Sequence, residues 1–274
     1  MRFAICNELF AGWSLRQVME YCRGLGYHAI EIAPFTLADS VEQVSAGERA
    51  AIRQMAAETG IEIVGLHWLL VKPEGLHLTT ADAQVRQRTA QYLTALAHFC
   101  ADIGGKVLVL GSPRQRSVPP DSTAEQAWER ALETLRPAIR AAEERGVVWC
   151  IEPLSPAETN FLNRAEDAIR FVQELNSPAA RIILDVKAMS SEGKPIPQII
   201  RDSAGWFAHF HANDPNLKGP GMGEVDFVPI LRSLQEVGYQ GYLSVEVFDY
   251  SDGAEHIAAV SLRNLQQALS ALSA

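Results

Sequence analysis

At 274 residues, 47% of them hydrophobic, the chain can bury a substantial core, and an α/β barrel of this length is commonly one domain. A formal charge of −9 repels a polyanion, which excludes a basic nucleic-acid face as the natural reading and favours a small or neutral partner. No stretch approaches ~18 uninterrupted apolar residues, "MRFAICNELF" lacks a long apolar run with a cleavage site, and Cys6, Cys22, Cys100 and Cys150 form no CxxC pair, so a cytoplasmic protein with reduced cysteines, not bound to a membrane, is expected.

In chain order, short apolar runs alternate with segments of helical period. The runs "RFAIC", "HAIEIA", "IEIVGLH", "KVLVLG", "VVWCIE", "RIILD", "WFAHFH" and "YLSVEVF" read as strands. Between them, "SLRQVMEYCRGLG", "VEQVSAGERAAIRQMAAETG", "ADAQVRQRTAQYLTALAHFCADIGG", "TAEQAWERALETLRPAIRAAEERG" and "DFVPILRSLQEVG" read as amphipathic helices, several stopped by a glycine. Alternation of this kind with right-handed crossovers predicts α/β architecture, a single (β/α)8 TIM barrel spanning residues 1–274. No GxGxxG follows the first strand, which weakens a dinucleotide-binding sheet as the alternative.

Chemistry in such a barrel sits at the C-terminal ends of the strands. Glu152, Asp185, His211 and Glu246 close the last four apolar runs, each about one βα unit beyond the one before, so their side chains are expected to converge. Three carboxylates and an imidazole in a low-dielectric mouth repel one another unless a cation sits between them. Oxygen-rich ligation with one nitrogen suits one divalent ion, Mn²⁺ first, with Mg²⁺ or Co²⁺ as alternatives. Taken singly, an acid at a strand end reads equally as a helix N-cap or ion-pair partner, and a His in "HFH" reads as a core histidine. Four consecutive strands ending this way favour the metal.

Further residues are candidates for substrate contact. His67 and Trp68 follow the third strand, where a polar group and an aromatic platform suit a sugar ring, although Trp68 reads as well as core. Asn7 and Glu8 end the first strand and are placed to bind hydroxyls or simply to turn the chain. Arg114 and Arg116, in "LGSPRQRSVPP", suit a phosphate or carboxylate, or stay solvated. In "NLKGPGMGEVDF", Gly219, Gly221 and Gly223 are spaced for a flexible loop over the site. His209 and Asp214, flanking His211, are expected to orient it without binding the ion.

The local texts "IEPLSPAETNFLN", "ILDVKAM", "HFHANDPN" and "SVEVF" together resemble the xylose-isomerase-like sugar isomerase/epimerase superfamily, most closely its D-tagatose and D-psicose 3-epimerase branch. The resemblance covers essentially the whole chain. It implies Glu152, Asp185, His211 and Glu246 as metal ligands, Glu152 and Glu246 as the acid/base pair, Glu158 as a substrate contact, a carbohydrate substrate, and a homodimer or homotetramer. Those epimerases carry a histidine three residues after the Asp ligand and an arginine six after the His ligand. Ala188 and Leu217 stand there instead, with Lys187 and Lys218 beside them as substitutes or as solvated or paired lysines. The ketohexose contacts of those two groups are therefore missing, which points to a keto-sugar or 3-keto-glycoside larger than a free ketohexose.

The expected chemistry is proton abstraction beside a carbonyl through a metal-stabilised enediolate, with one glutamate removing the proton and the other returning it to the opposite face. The same parts give aldose–ketose isomerisation, or dehydration as a lyase if a β-hydroxyl leaves. Two other readings stand beside these. An abasic-site endonuclease shares the superfamily and an "HxND"-like stretch, but needs more histidines than this chain offers and a less acidic surface. A non-catalytic sugar binder would not need all four ligands.

Overall fold

The computed structural model describes residues 1–272, so the last two residues of the expected domain 1–274 lie outside the described residues. The strands are β1 (Arg2–Cys6), β2 (Ala29–Ile32), β3 (Glu62–Leu66), β4 (Val107–Leu110), β5 (Val148–Ile151), β6 (Ala180–Asp185), β7 (Phe207–Ala212) and β8 (Tyr242–Val245). The helices are α1 (Leu15–Leu25), α2 (Ala46–Thr59), α3 (Ala83–Asp102), α4 (Ala124–Arg145), α5 (Ala165–Leu175), α6 (Val186–Met189), α7 (Ile196–Asp202), α8 (Phe227–Glu236) and α9 (Ala254–Ser270). Each strand pairs in parallel with the next and β1 closes on β8, so the sheet is the expected (β/α)8 barrel.

Helix ends follow their capping chemistry. Ser14 with Gln17, Ser45 with Glu48 and Thr123 with Gln126 form reciprocal capping boxes that start α1, α2 and α4. The second of these corrects the continuous helix expected over 41–60. Val41–Gln43 forms a separate 3-10 turn, Val44 is extended, and Ser45 satisfies the first free N–H groups of α2, which therefore begins at Ala46.

Alternation along the strands divides the barrel interior into layers. On the inward rows, Ala4, Ala29, Val64, Val107, Val109, Cys150, Ile183 and Tyr242 pack as one apolar cluster. Two residues further along the same rows stand Cys6, Glu31, Glu152 and Asp185, and His211 and Glu246 share that upper level. The register of β2 on β3 shifts between Ile30 and Glu31, and that of β6 on β7 between Ile182 and Ile183, where the interior turns from apolar to charged. A larger apolar cluster fills the space between sheet and helices, with Trp149, Phe99, Phe171 and Phe210 buried in it.

Candidate active site at the barrel mouth

Glu152 lies one residue past β5, Asp185 ends β6, His211 lies in β7 directly opposite Asp185, and Glu246 lies one residue past β8. One ligand-type atom from each of these four falls within 4.8 Å of the others, and all four residues are buried. Gly111, at the end of β4, leaves the room this needs, because any Cβ there would overlap the Glu152 carboxylate.

Two of the four side chains, Asp185 and His211, are held from behind. Asp185 Oδ1 accepts the Ala188 N–H at 2.7 Å, and its Oδ2 accepts from Asn213 Nδ2. Asp185 is thus the N-cap of α6 as well as a member of the cluster, so the two readings of a strand-end acid coexist in one residue. His211 Nε2 lies 3.2 Å from Glu31 Oε1, while His211 Nδ1 is buried without a hydrogen-bond partner, 3.0 Å from Glu246 Oε2 and 3.8 Å from Glu152 Oε1. Glu31 also takes Ser244 Oγ at 2.6 Å and faces His209 Nε2 at 2.7 Å. His209 and His211 therefore meet the same carboxylate, Glu31, behind the cluster.

The electrostatics diverge among the carboxylates. Burial, then the charge of Glu246, pushes Glu152 up to about 8. Burial and Glu246 likewise raise Asp185. Burial also works to raise Glu246, but the neighbouring His211 outweighs it and holds Glu246 below its ordinary value. Burial opposes a charge on His211, yet Glu246 and Glu31 together push it well above the ordinary imidazole range. Without a cation, the cluster must hold protons to limit its own repulsion.

Around this cluster the mouth is lined by His67, Trp68, Glu158, Lys187 and Phe248. Lys187 Nζ pairs with Glu158 Oε1 at 2.6 Å and lies 4.6 Å from the centre of the Phe248 ring, against which Trp68 packs edge-on. Trp68 has φ +52°, a left-handed conformation that costs a bulky residue energy and aims the indole into the mouth. The space among these side chains is about 20 Å³, so a sugar enters only as they move. His67 Nε2 meets Glu8 Oε2 at 2.6 Å, and both side chains are buried.

A family model for xylose isomerase-like TIM barrels matches residues 19–268. The chain belongs to this family. A D-psicose 3-epimerase from Ruminiclostridium cellulolyticum is 32% identical over 121 residues, 44% of this chain and 41% of that relative, so this match spans less than half of the relative's length. A D-psicose 3-epimerase from Agrobacterium fabrum is 27% identical over 248 residues, covering 88% of this chain and 82% of the relative. The solved structure of D-psicose 3-epimerase with D-tagatose from Clostridium cellulolyticum H10 superposes with a TM-score of 0.87 at 22% identity, over 98% of this chain and 99% of that one. The resemblance to the D-tagatose and D-psicose 3-epimerase branch is borne out by these matches.

Against the family frame, several expectations are corrected. Asp214 contacts none of the four clustered side chains in the hydrogen bonds it makes: its Oδ2 accepts the Val225 N–H at 3.2 Å and its backbone ties to Leu217 and Lys218, so it shapes the loop. Asn213, one residue earlier and on the inward row of His209 and His211, is the neighbour that reaches the cluster, donating to Asp185 rather than to His211. Arg116 is 1% exposed and not solvated; its Nη1 donates to the Leu110 carbonyl at 3.1 Å, and Nε and Nη2 have no partner. Arg116 is absent from the residues lining the mouth, and Arg114 is exposed. Asn7 is spent on the fold, donating to Thr36 Oγ1 at 2.9 Å and accepting the Ala33 N–H at 2.8 Å. Lys218 pairs with Asp252 on the next loop and is not among the residues lining the mouth. The loop glycines serve close packing: a Cβ on Gly219 would strike Ser261, and one on Gly223 would strike the Asp214 carboxylate. Ala188 is buried, whereas Leu217 is 44% exposed on the rim with φ +72°.

Besides Asn213, sequence reasoning missed Glu31, the buried carboxylate that faces His209 and His211. Its signal was present: one acid inside the apolar run "HAIEIA", on the inward row of a barrel strand.

Proposed function

We propose that the protein is a divalent-metal-dependent epimerase or isomerase of a keto-sugar or keto-glycoside, with Glu152, Asp185, His211 and Glu246 holding the ion. The observation that carries this reading is the donor set itself. Three buried carboxylates converge on an unpartnered imidazole nitrogen whose opposite nitrogen faces Glu31, a set of donors that a divalent cation would satisfy. Such donors suit Mn²⁺, with Mg²⁺ and Co²⁺ as alternatives. The names of the curated relatives support the reaction class.

Bound there, a divalent ion would supply positive charge to the carbonyl and adjacent hydroxyl oxygens of the substrate, making the intervening C–H acidic enough for a carboxylate to remove its proton. Glu152 and Glu246 come from strands three apart around the barrel, so they reach a bound substrate from two directions. Before any cation binds they are pushed to opposite protonation states, Glu152 towards holding a proton and Glu246 towards losing one. That divergence suits one to give a proton and the other to take it. Glu158, Lys187, His67 and Trp68 surround the same space and serve the substrate's hydroxyls and ring face. In the same reading residues 1–274 are one domain, working in the cytoplasm as a homodimer or homotetramer. Among the described residues no helix is long and apolar enough to cross a membrane, and the buried free cysteines suit a reducing compartment.

Turnover in D₂O tests the reading. The Mn²⁺-loaded protein is expected to place deuterium on the carbon beside the ketone as its configuration changes. Product free of solvent deuterium would replace the proton-transfer assignment with a hydride shift.

A further inference from the structure

Beside the mouth, between the loops that follow β1 and β2, lies a groove of about 310 Å³ walled by Phe10, Trp13, Phe35 and Leu37, with Glu8 among its lining residues. Phe10 and Trp13 pack with ring centres 5.5 Å apart. Phe35 is 37% exposed, and the other large apolar side chains exposed among the described residues, Leu217 and Tyr250, follow β7 and β8 on the same side of the mouth. Glu8 belongs to the groove while its Oε2 is bonded at 2.6 Å to His67, which lines the mouth, so the two spaces meet at this pair. Two buried polar atoms of the pair, Glu8 Oε1 and His67 Nδ1, have no hydrogen-bond partner. Unpartnered buried polar atoms are rare, because each forfeits the hydration it had in the unfolded chain.

We propose that this groove is a second sugar subsite, which takes the non-reacting ring of a keto-glycoside whose keto ring occupies the mouth; the proposal rests on the epimerase reading for what happens in the mouth. Aromatic walls offer flat apolar faces to the C–H side of a pyranose ring. Carboxylate oxygens accept hydrogen bonds, so the Glu8 side chain suits a hydroxyl-rich ring. The groove at 310 Å³ has room that the mouth, at about 20 Å³, does not.

The test compares two substrates with the Mn²⁺-loaded protein: 3-ketocellobiose, with two rings, and methyl 3-keto-β-D-glucopyranoside, with one. The two-ring compound is expected to have a kcat/KM at least ~10-fold higher, and Phe35→Ala and Glu8→Gln are each expected to bring that ratio close to one. A wild-type ratio near one, or a ratio that Phe35→Ala leaves unchanged, overturns the subsite. If neither compound turns over, the epimerase reading has failed and calorimetry with unreactive cellobiose still decides the groove. Binding that weakens at least ~5-fold in Phe35→Ala supports the subsite, and no binding or an unchanged Kd overturns it. Sedimentation adds a further outcome: if Phe35→Ala turns a dimer into a monomer without altering the substrate ratio, the groove is a contact between copies and the proposal falls.

Discussion

Strands β5 to β8 and strands β1 to β3 bring titratable side chains to the same mouth and use them differently. In the first group Glu152, Asp185, His211 and Glu246 crowd together with an unpartnered nitrogen at their centre. In the second, Glu31 is surrounded by donors, taking Ser244 at 2.6 Å and facing His209 at 2.7 Å and His211 at 3.2 Å. The first group packs acids against one another around that nitrogen; in the second, Glu31 has a donor or an imidazole nitrogen on each side. The lesson is that burial and residue type alone do not separate a binding carboxylate from a positioning one. Their partners do.

The largest expected effect comes from removing a base in the first half. Glu152→Gln and Glu246→Gln should each lower kcat by ~10²–10⁴-fold at saturating Mn²⁺, with elemental analysis confirming that the ion is bound. A near-normal rate in Glu246→Gln with the ion still bound would break the distinction between the halves.

Glu31→Gln sharpens it. The four clustered side chains are untouched, but the imidazole they share loses its anionic support, so Mn²⁺ affinity should fall ~10–100-fold, read by titration against a metal indicator. An unchanged affinity would reduce Glu31 to a satisfied core residue.

A pH series reads the uncompensated charge directly. Glu152 has an ordinary value of 4.5 and is held at about 8 in the fold. The folded state therefore keeps a proton that the unfolded chain has already lost, and the metal-free protein should lose stability as pH rises from about 4.5 to about 8. His211, raised in the fold, adds stability that is full below its unfolded value and is lost as pH rises through its raised one, so it works in the same direction. Thermal melts with EDTA and with Mn²⁺ should diverge with pH, the gain from Mn²⁺ being larger at pH 8 than at pH 5.5. A gain independent of pH would contradict the account, and Glu152→Gln should flatten the metal-free curve.

The smallest effect is expected at Asp214→Asn. One loop hydrogen bond weakens, costing on the order of 1 kcal/mol in stability by denaturant titration, and Mn²⁺ affinity stays unchanged. A large loss of affinity would restore Asp214 to the role first expected of it.

How much of this was legible in the sequence follows from the same contrast. The binding half was readable because its residues close apolar runs, and a charged residue that ends a barrel strand sits at the mouth by construction. Glu31 was not, because its partners His209 and Ser244 lie 178 and 213 residues away, and one acid inside a strand run announces no partner. Arg116, in a proline-flanked loop, reads as an anion contact or as solvated, and only the fold over it, with the Leu110 carbonyl, reveals its burial. Asn213 was missed in favour of Asp214 because a formal charge drew more weight than the two-residue alternation, which puts 209, 211 and 213 on one row. The break before α2 was legible in principle, as "SAGE" spells the capping box that Ser45 and Glu48 form, but the helical period running back through Val41 concealed it.

The central claim is that one divalent ion sits among Glu152, Asp185, His211 and Glu246. Anomalous scattering from crystals soaked in Mn²⁺ tests it most directly. The account predicts a single strong peak ~2.0–2.6 Å from a carboxylate oxygen of each of the three acids and from His211 Nδ1. Among the described residues, Cys6, Glu8, His67 and Glu246 form a second group with metal-ligating atoms. A peak centred on that group, or no peak at saturating Mn²⁺, would contradict the account.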